Sequence, residues 1–147
     1  MSQPVNEPIL GYAPGSSERS SLMNEMDSQM SEVFEIPCII NGEEIFTGTT
    51  VPQVIPHDHG HVLANVHLAG RDEMEAACSA AVEAQQAWID LGLEGRCAIF
   101  ERCADLLAGE WRMRVNASTM LNQSKTVFQA EIDAACELID FWRFNCH

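Results

Sequence analysis

The chain has 147 residues, 46% of them hydrophobic, enough for one core of ordinary size. Its 8 Lys and Arg stand against 22 Asp and Glu, for a formal net charge of −14, and Lys125 is the one lysine. No basic stripe can neutralise a phosphate backbone or an anionic bilayer, and no apolar run approaches the ~20 residues of a spanning helix, so neither nucleic acid nor membrane is an expected partner.

The cysteines, Cys38, Cys78, Cys97, Cys103, Cys136 and Cys146, form no C-x-x-C pair. They are read as reduced thiols, which points to a reducing compartment. Met1 to Pro8 have neither the blocks of a signal peptide nor the Arg-rich character of a transit peptide, so the expected address is cytoplasmic.

Pro4 to Gly15 carry three prolines and two glycines, which predicts an extended arm over residues 1–15, laid over something larger, with residues 16–147 as a separate, incomplete domain portion. Ser16 offers an N-cap for a helix to about Ser31, with Leu22, Met26 and Met30 as its apolar stripe. Ile36 to Ile40 and Ile45 to Thr47 flank Asn41-Gly42 and predict a β-hairpin. His61 to Leu68 alternates and adds a third extended segment to a small sheet.

Beyond Gly70 the pattern is helical. Asp72 with Glu75 resembles a capping box for a helix to about Asp90, with Met74, Cys78, Ala81, Gln85 and Trp88 on one face. A second helix starts at Glu94, presents Ile99, Cys103, Leu106 or Leu107 and Trp111, and ends or kinks at Gly109. A shorter one follows to about Asn122. Thr126 and Gln129 then cap a last helix with two apolar faces, Val127, Ala134, Leu138 and Phe141 beside Phe128, Ile132, Ala135, Ile139 and Trp142. So wide a surface calls for packing from several sides, by an oligomer or by further polypeptide.

Few residues offer chemistry. His57, His59 and His61 would align as metal ligands on a strand, but Pro56 and Gly60 break that geometry, and a polar turn is the plainer reading. The cysteines lie among apolar helix formers rather than in electropositive settings, which favours packing over nucleophilic use. No G-x-G-x-x-G, phosphate loop or G-x-S-x-G occurs. Glu131 is the exception, because its spacing sets a carboxylate among Val127, Ala134, Leu138 and Phe141. It is either paired, with Lys125 or an arginine, or functional.

Several stretches carry a resemblance: Asn6-Glu7-Pro8-Ile9-Leu10, Gly15-Ser16-Ser17-Glu18-Arg19, Ile36-Pro37-Cys38-Ile39-Ile40, His57-Asp58-His59-Gly60-His61, and above all Gln123 to Ala135 continuing through Glu137 to Asn145. Together they resemble the N-terminal region of the L-glutamate gamma-semialdehyde (delta-1-pyrroline-5-carboxylate) dehydrogenase family, in the aldehyde dehydrogenase superfamily. The resemblance implies an α/β fold, aldehyde dehydrogenase-like. This portion would be mostly helical, with a small antiparallel β-hairpin or sheet, as part of the cofactor-binding domain.

It also implies NAD as cofactor of the parent enzyme, a small-molecule aldehyde substrate, a homo-oligomer, and a mitochondrial matrix address if the parent is eukaryotic. The nucleophilic cysteine, general base, oxyanion donor and cofactor turn would lie outside these residues, so no catalytic, cofactor or metal residue is carried over and the chain alone is expected to be inactive. Glu131 matches a family glutamate that contacts the substrate's amino group, and so is the expected substrate-binding residue. The competing expectation is a non-catalytic helical oligomerisation or interaction module.

Overall fold

The computed structural model describes residues 3–147. Residues 3–16 carry neither helix nor strand. Helix α1 (Ser17–Met30) starts where expected, because the Ser16 hydroxyl accepts from Arg19 N–H at 3.3 Å. Its stripe is used in full. Leu22 packs with Tyr12 and Ala117, while Met26 and Met30 close over Ile55, Leu63 and Leu121.

Five short strands follow: β1 (Phe34–Ile36), β2 (Cys38–Ile40), β3 (Glu43–Ile45), β4 (Thr50–Ile55) and β5 (Asp58–His67). β2 and β3 form the expected hairpin, with Asn41 at φ 52° and Gly42 at φ 79° as the primed turn demands. The other three make a sheet ordered β1-β5-β4, in which β4 runs antiparallel and β1 parallel to β5. The small sheet is therefore mixed, beside the antiparallel hairpin. Phe34 to Ile36 come just before the hairpin and return to pair with Ala64 to Val66 along the same direction. β4 is an addition to the sequence reading, since Pro52 disguises it; an edge strand tolerates the missing N–H.

Four helical stretches complete the chain: α2 (Arg71–Asp90), α3 (Gly92–Ala108), α4 (Arg112–Gln123) and a long final one. The α2 cap differs from expectation. Glu73 reaches back to accept from Gly70 N–H at 2.7 Å, while Glu75 pairs with Arg71 instead. α2 buries none of its residues, so Cys78 is solvent-facing rather than packed. α3 buries Cys97, Ala104 and Leu107, whereas Ile99 and Trp111, expected inward, are 42% and 45% exposed.

The final helix is not continuous. Val127–Ala130 forms α5, capped by Thr126 and Gln129 as expected, and Glu137–Asn145 forms α6. Between them Glu131–Cys136 is wound as a π-helix. The wider turn brings Ala130, Glu131, Ala135, Cys136 and Ile139 to the buried side together. Phe128, Phe141 and Phe144, counted on apolar faces or near them, are 54%, 61% and 47% exposed. Ile139 meets Ala104 and Leu107 of α3, which fixes α6 across that helix.

Candidate functional site

Three parts of the chain converge on Glu131, which has no exposed surface. The π-helix carries it inward at its first residue. α4 supplies Arg112 and, one turn later, Asn116 on the same face. The N-terminal segment supplies Tyr12 and the backbone of Leu10.

The carboxylate is saturated. Oε1 accepts from Leu10 N–H at 2.8 Å and from Arg112 Nη2 at 2.5 Å. Oε2 accepts from the Tyr12 hydroxyl at 2.7 Å, Asn116 Nδ2 at 2.8 Å and Arg112 Nε at 3.3 Å. Arg112 therefore grips both oxygens, the fork geometry that a guanidinium offers and an ammonium does not. Lys125, one of the partners expected for Glu131, instead pairs with Asp133 at 2.7 Å.

A second carboxylate completes the guanidinium's shell. Glu7 accepts from Arg112 Nη1 at 2.6 Å and from Arg143 of α6 at 2.7 Å, and Arg143 also reaches Asp105 of α3 at 3.3 Å. Pro8 O takes the remaining Arg112 Nη2 bond at 2.7 Å. Asp140 of α6 accepts from Asn6 Nδ2 and Glu7 N–H, each at 2.7 Å. The extended segment is thus fastened by its polar groups to α4, the π-helix and α6, with Arg143 carrying the link on to α3, and Tyr12 holds a left-handed φ of 49° to reach inward.

The electrostatics follow from this packing. Burial pushes the Glu131 carboxyl up, but hydrogen bonds from Arg112, Leu10 N–H, Tyr12 and Asn116 outweigh it and hold the group below the usual carboxylate range. Burial, and the bond it donates to Glu131, push the Tyr12 hydroxyl above its ordinary range. Burial and the nearby Glu131 charge raise the Cys136 thiol to about 11. At neutral pH the cluster is a fixed set of charges rather than a proton relay.

Asn116 Oδ1 is the unpartnered buried side-chain oxygen or nitrogen among the described residues. His57, His59 and His61 lie at the β4–β5 turn, with His57 Nδ1 2.7 Å from Ser124 Oγ, and the described residues hold no group of three or more metal-ligating side chains. Arg112, Asn116 and Tyr12 do not stand out in the sequence. The available signal is the Arg112–Asn116 spacing of four on a helix, in a chain with so few cations.

The family model for aldehyde dehydrogenases matches residues 46–147. The delta-1-pyrroline-5-carboxylate dehydrogenase of Agaricus bisporus is 46% identical over 143 residues, covering 95% of this chain and 26% of its own length. The human mitochondrial protein of that name is 41% identical over 96% of the chain and 25% of its length. Among solved structures, the Mycobacterium tuberculosis Delta-pyrroline-5-carboxylate dehydrogenase bound with NAD superposes at TM-score 0.96 with 45% identity, over 99% of this chain and 28% of that one. The 1-pyrroline-5-carboxylate dehydrogenase from Thermus with bound NAD gives 0.90 at 26% identity, over 99% and 28%. The chain spans about a quarter of the length of the relatives it matches.

Proposed function

Because the chain belongs to the aldehyde dehydrogenase family, we propose that it supplies the N-terminal part of an NAD-dependent enzyme oxidising L-glutamate gamma-semialdehyde, formed from 1-pyrroline-5-carboxylate, to L-glutamate. The observation that carries this reading is the agreement of fold and sequence with one named group of dehydrogenases over nearly every residue of the chain.

The residues here do not compose an NAD site. A dinucleotide pyrophosphate needs close backbone approach at a glycine-rich helix start, and α2, α3 and α4 begin without such a run. Cofactor binding and hydride transfer are therefore assigned to the rest of the parent enzyme. The contribution of these residues is scaffold: the Glu131–Arg112 cluster fixes the π-helix, and the π-helix sets the direction of α6.

For Glu131, burial and a complete donor set favour this structural role. The substrate contact implied by the family resemblance stands as a second reading, and it requires Tyr12 or Leu10 N–H to give way to an ammonium group. Glu131→Gln in the full-length enzyme separates the two: a substrate contact raises KM while leaving the melting temperature nearly unchanged, whereas a scaffold carboxylate lowers the melting temperature first.

The bare α2 and the exposed Phe128, Phe141 and Phe144 support burial against further polypeptide or a second subunit in a homo-oligomer. They equally suit the alternative of an interaction module. The mitochondrial names of the human and Dictyostelium discoideum relatives favour a matrix address over the cytoplasm. Purified 147-residue chain should form no NADH from the semialdehyde and NAD, while the parent enzyme does. Turnover by the chain alone would overturn the scaffold assignment.

A further inference from the structure

Two of the six thiols meet. Cys97 of α3 and Cys146, at the end of α6, are 6% and 7% exposed. Cys97 Sγ lies 3.8 Å from Cys146 O, and Cys146 Sγ lies 3.7 Å from Cys97 O. This reciprocal crossing sets each thiol against the backbone of the other cysteine, so the two are direct neighbours, the first condition for a disulfide. The remaining cysteines are placed otherwise: Cys38 Sγ faces His67 O, Cys78 is exposed on α2, Cys103 is half-buried, and Cys136 lies against Arg112 and Glu131.

We propose that Cys97 and Cys146 are an oxidative modification site, converted by a peroxide into a disulfide that ties α3 to the end of α6. One thiolate attacks the O–O bond of hydrogen peroxide, giving a sulfenic acid and releasing hydroxide. The second thiol then displaces the sulfenic oxygen as water and forms the S–S bond. Two thiols and one peroxide give one disulfide and two waters, with both electrons accepted by the peroxide.

The site is conditional rather than constitutive. Burial and the neighbouring Cys97 push the Cys146 thiol up, with Glu101 adding to it, so thiolate is scarce near neutral pH and the pair stays reduced until an oxidant is supplied. Once formed, the link closes a loop between residues 49 apart and restricts the unfolded chain, while the packed α3–α6 contact changes little.

The test treats the full 147-residue chain with a few equivalents of hydrogen peroxide at about pH 7 and about pH 9, below and above the ordinary thiol range. Remaining thiols are alkylated and the digest is mapped by mass spectrometry. One dominant cross-linked pair joining the Cys97 and Cys146 peptides is expected, forming faster at the higher pH and reversed by dithiothreitol. A rise of several degrees in melting temperature should accompany it, and should be absent in Cys146→Ser. Pairings spread over other cysteines, over-oxidation of Cys97 without the cross-link, or six alkylatable thiols after treatment would each overturn the proposal. The peptide map of the unaltered chain decides the matter even where the serine variant fails to fold.

Discussion

Arg112 is the residue on which the interior charge balance turns. It sits at the start of α4, 4% exposed, between Glu7 and Glu131. Removing it leaves Glu131 buried with neutral donors only, a situation that costs about 3–5 kcal/mol when one partner of a buried pair is deleted. Arg112→Ala should therefore lose that amount in urea denaturation, and Arg112→Lys most of it, because an ammonium cannot bridge both oxygens. An unchanged denaturation midpoint would contradict this account. Sequence reasoning comes close here, since it demands a partner for Glu131 and admits an arginine. It cannot choose which, because the choice depends on the approach of α4 to the π-helix, a tertiary fact with no local signature.

At the scale of elements, capping chemistry is legible where side chain and spacing leave one solution. Thr126 and Gln129 are that case: Gln129 Oε1 accepts from Thr126 N–H at 2.9 Å and the Thr126 hydroxyl accepts from Gln129 N–H at 3.4 Å. Thr126→Ala should cost about 1 kcal/mol, read as a lowered urea midpoint with an unchanged slope. Asp72 and Glu75 have the same spacing, yet Gly70 and Glu73 take the role, since Glu73 lies three residues after the last non-helical position before α2. The π-helix is illegible for another reason. A single widened turn leaves an apolar sequence looking periodic, and only the buried set of Ala130, Glu131, Ala135, Cys136 and Ile139 reveals the slip.

At the scale of the whole molecule, the polar clasp makes stability depend on acid. Glu131 has a folded pKa below its ordinary 4.5, so its contribution is complete above that value and is lost as pH falls through the folded pKa. Thermal melts from neutral pH to about pH 3 should show a steeper decline for the unaltered chain than for Glu131→Gln, which has no proton to take up there. Equal slopes would place the acid sensitivity elsewhere. The same scale explains why composition foretells a globular chain but not its surface. α2 is a well-formed helix with Met74, Val82, Trp88 and Ile89 exposed, and although Trp88 meets Phe100 of α3 edge-on, none of its residues is buried.

The clasp also imposes an order on synthesis. Glu7, Leu10 and Tyr12 leave the ribosome ahead of their partners Arg112, Glu131 and Asp140, which follow 105 to 133 residues later. At ordinary elongation rates that interval is roughly 5 to 30 s. Through it the leading segment must remain uncommitted, and its prolines and acidic groups suit it to that wait. The earlier-made side of the clasp is therefore among the last to be fastened, and it closes over partners that are made after it.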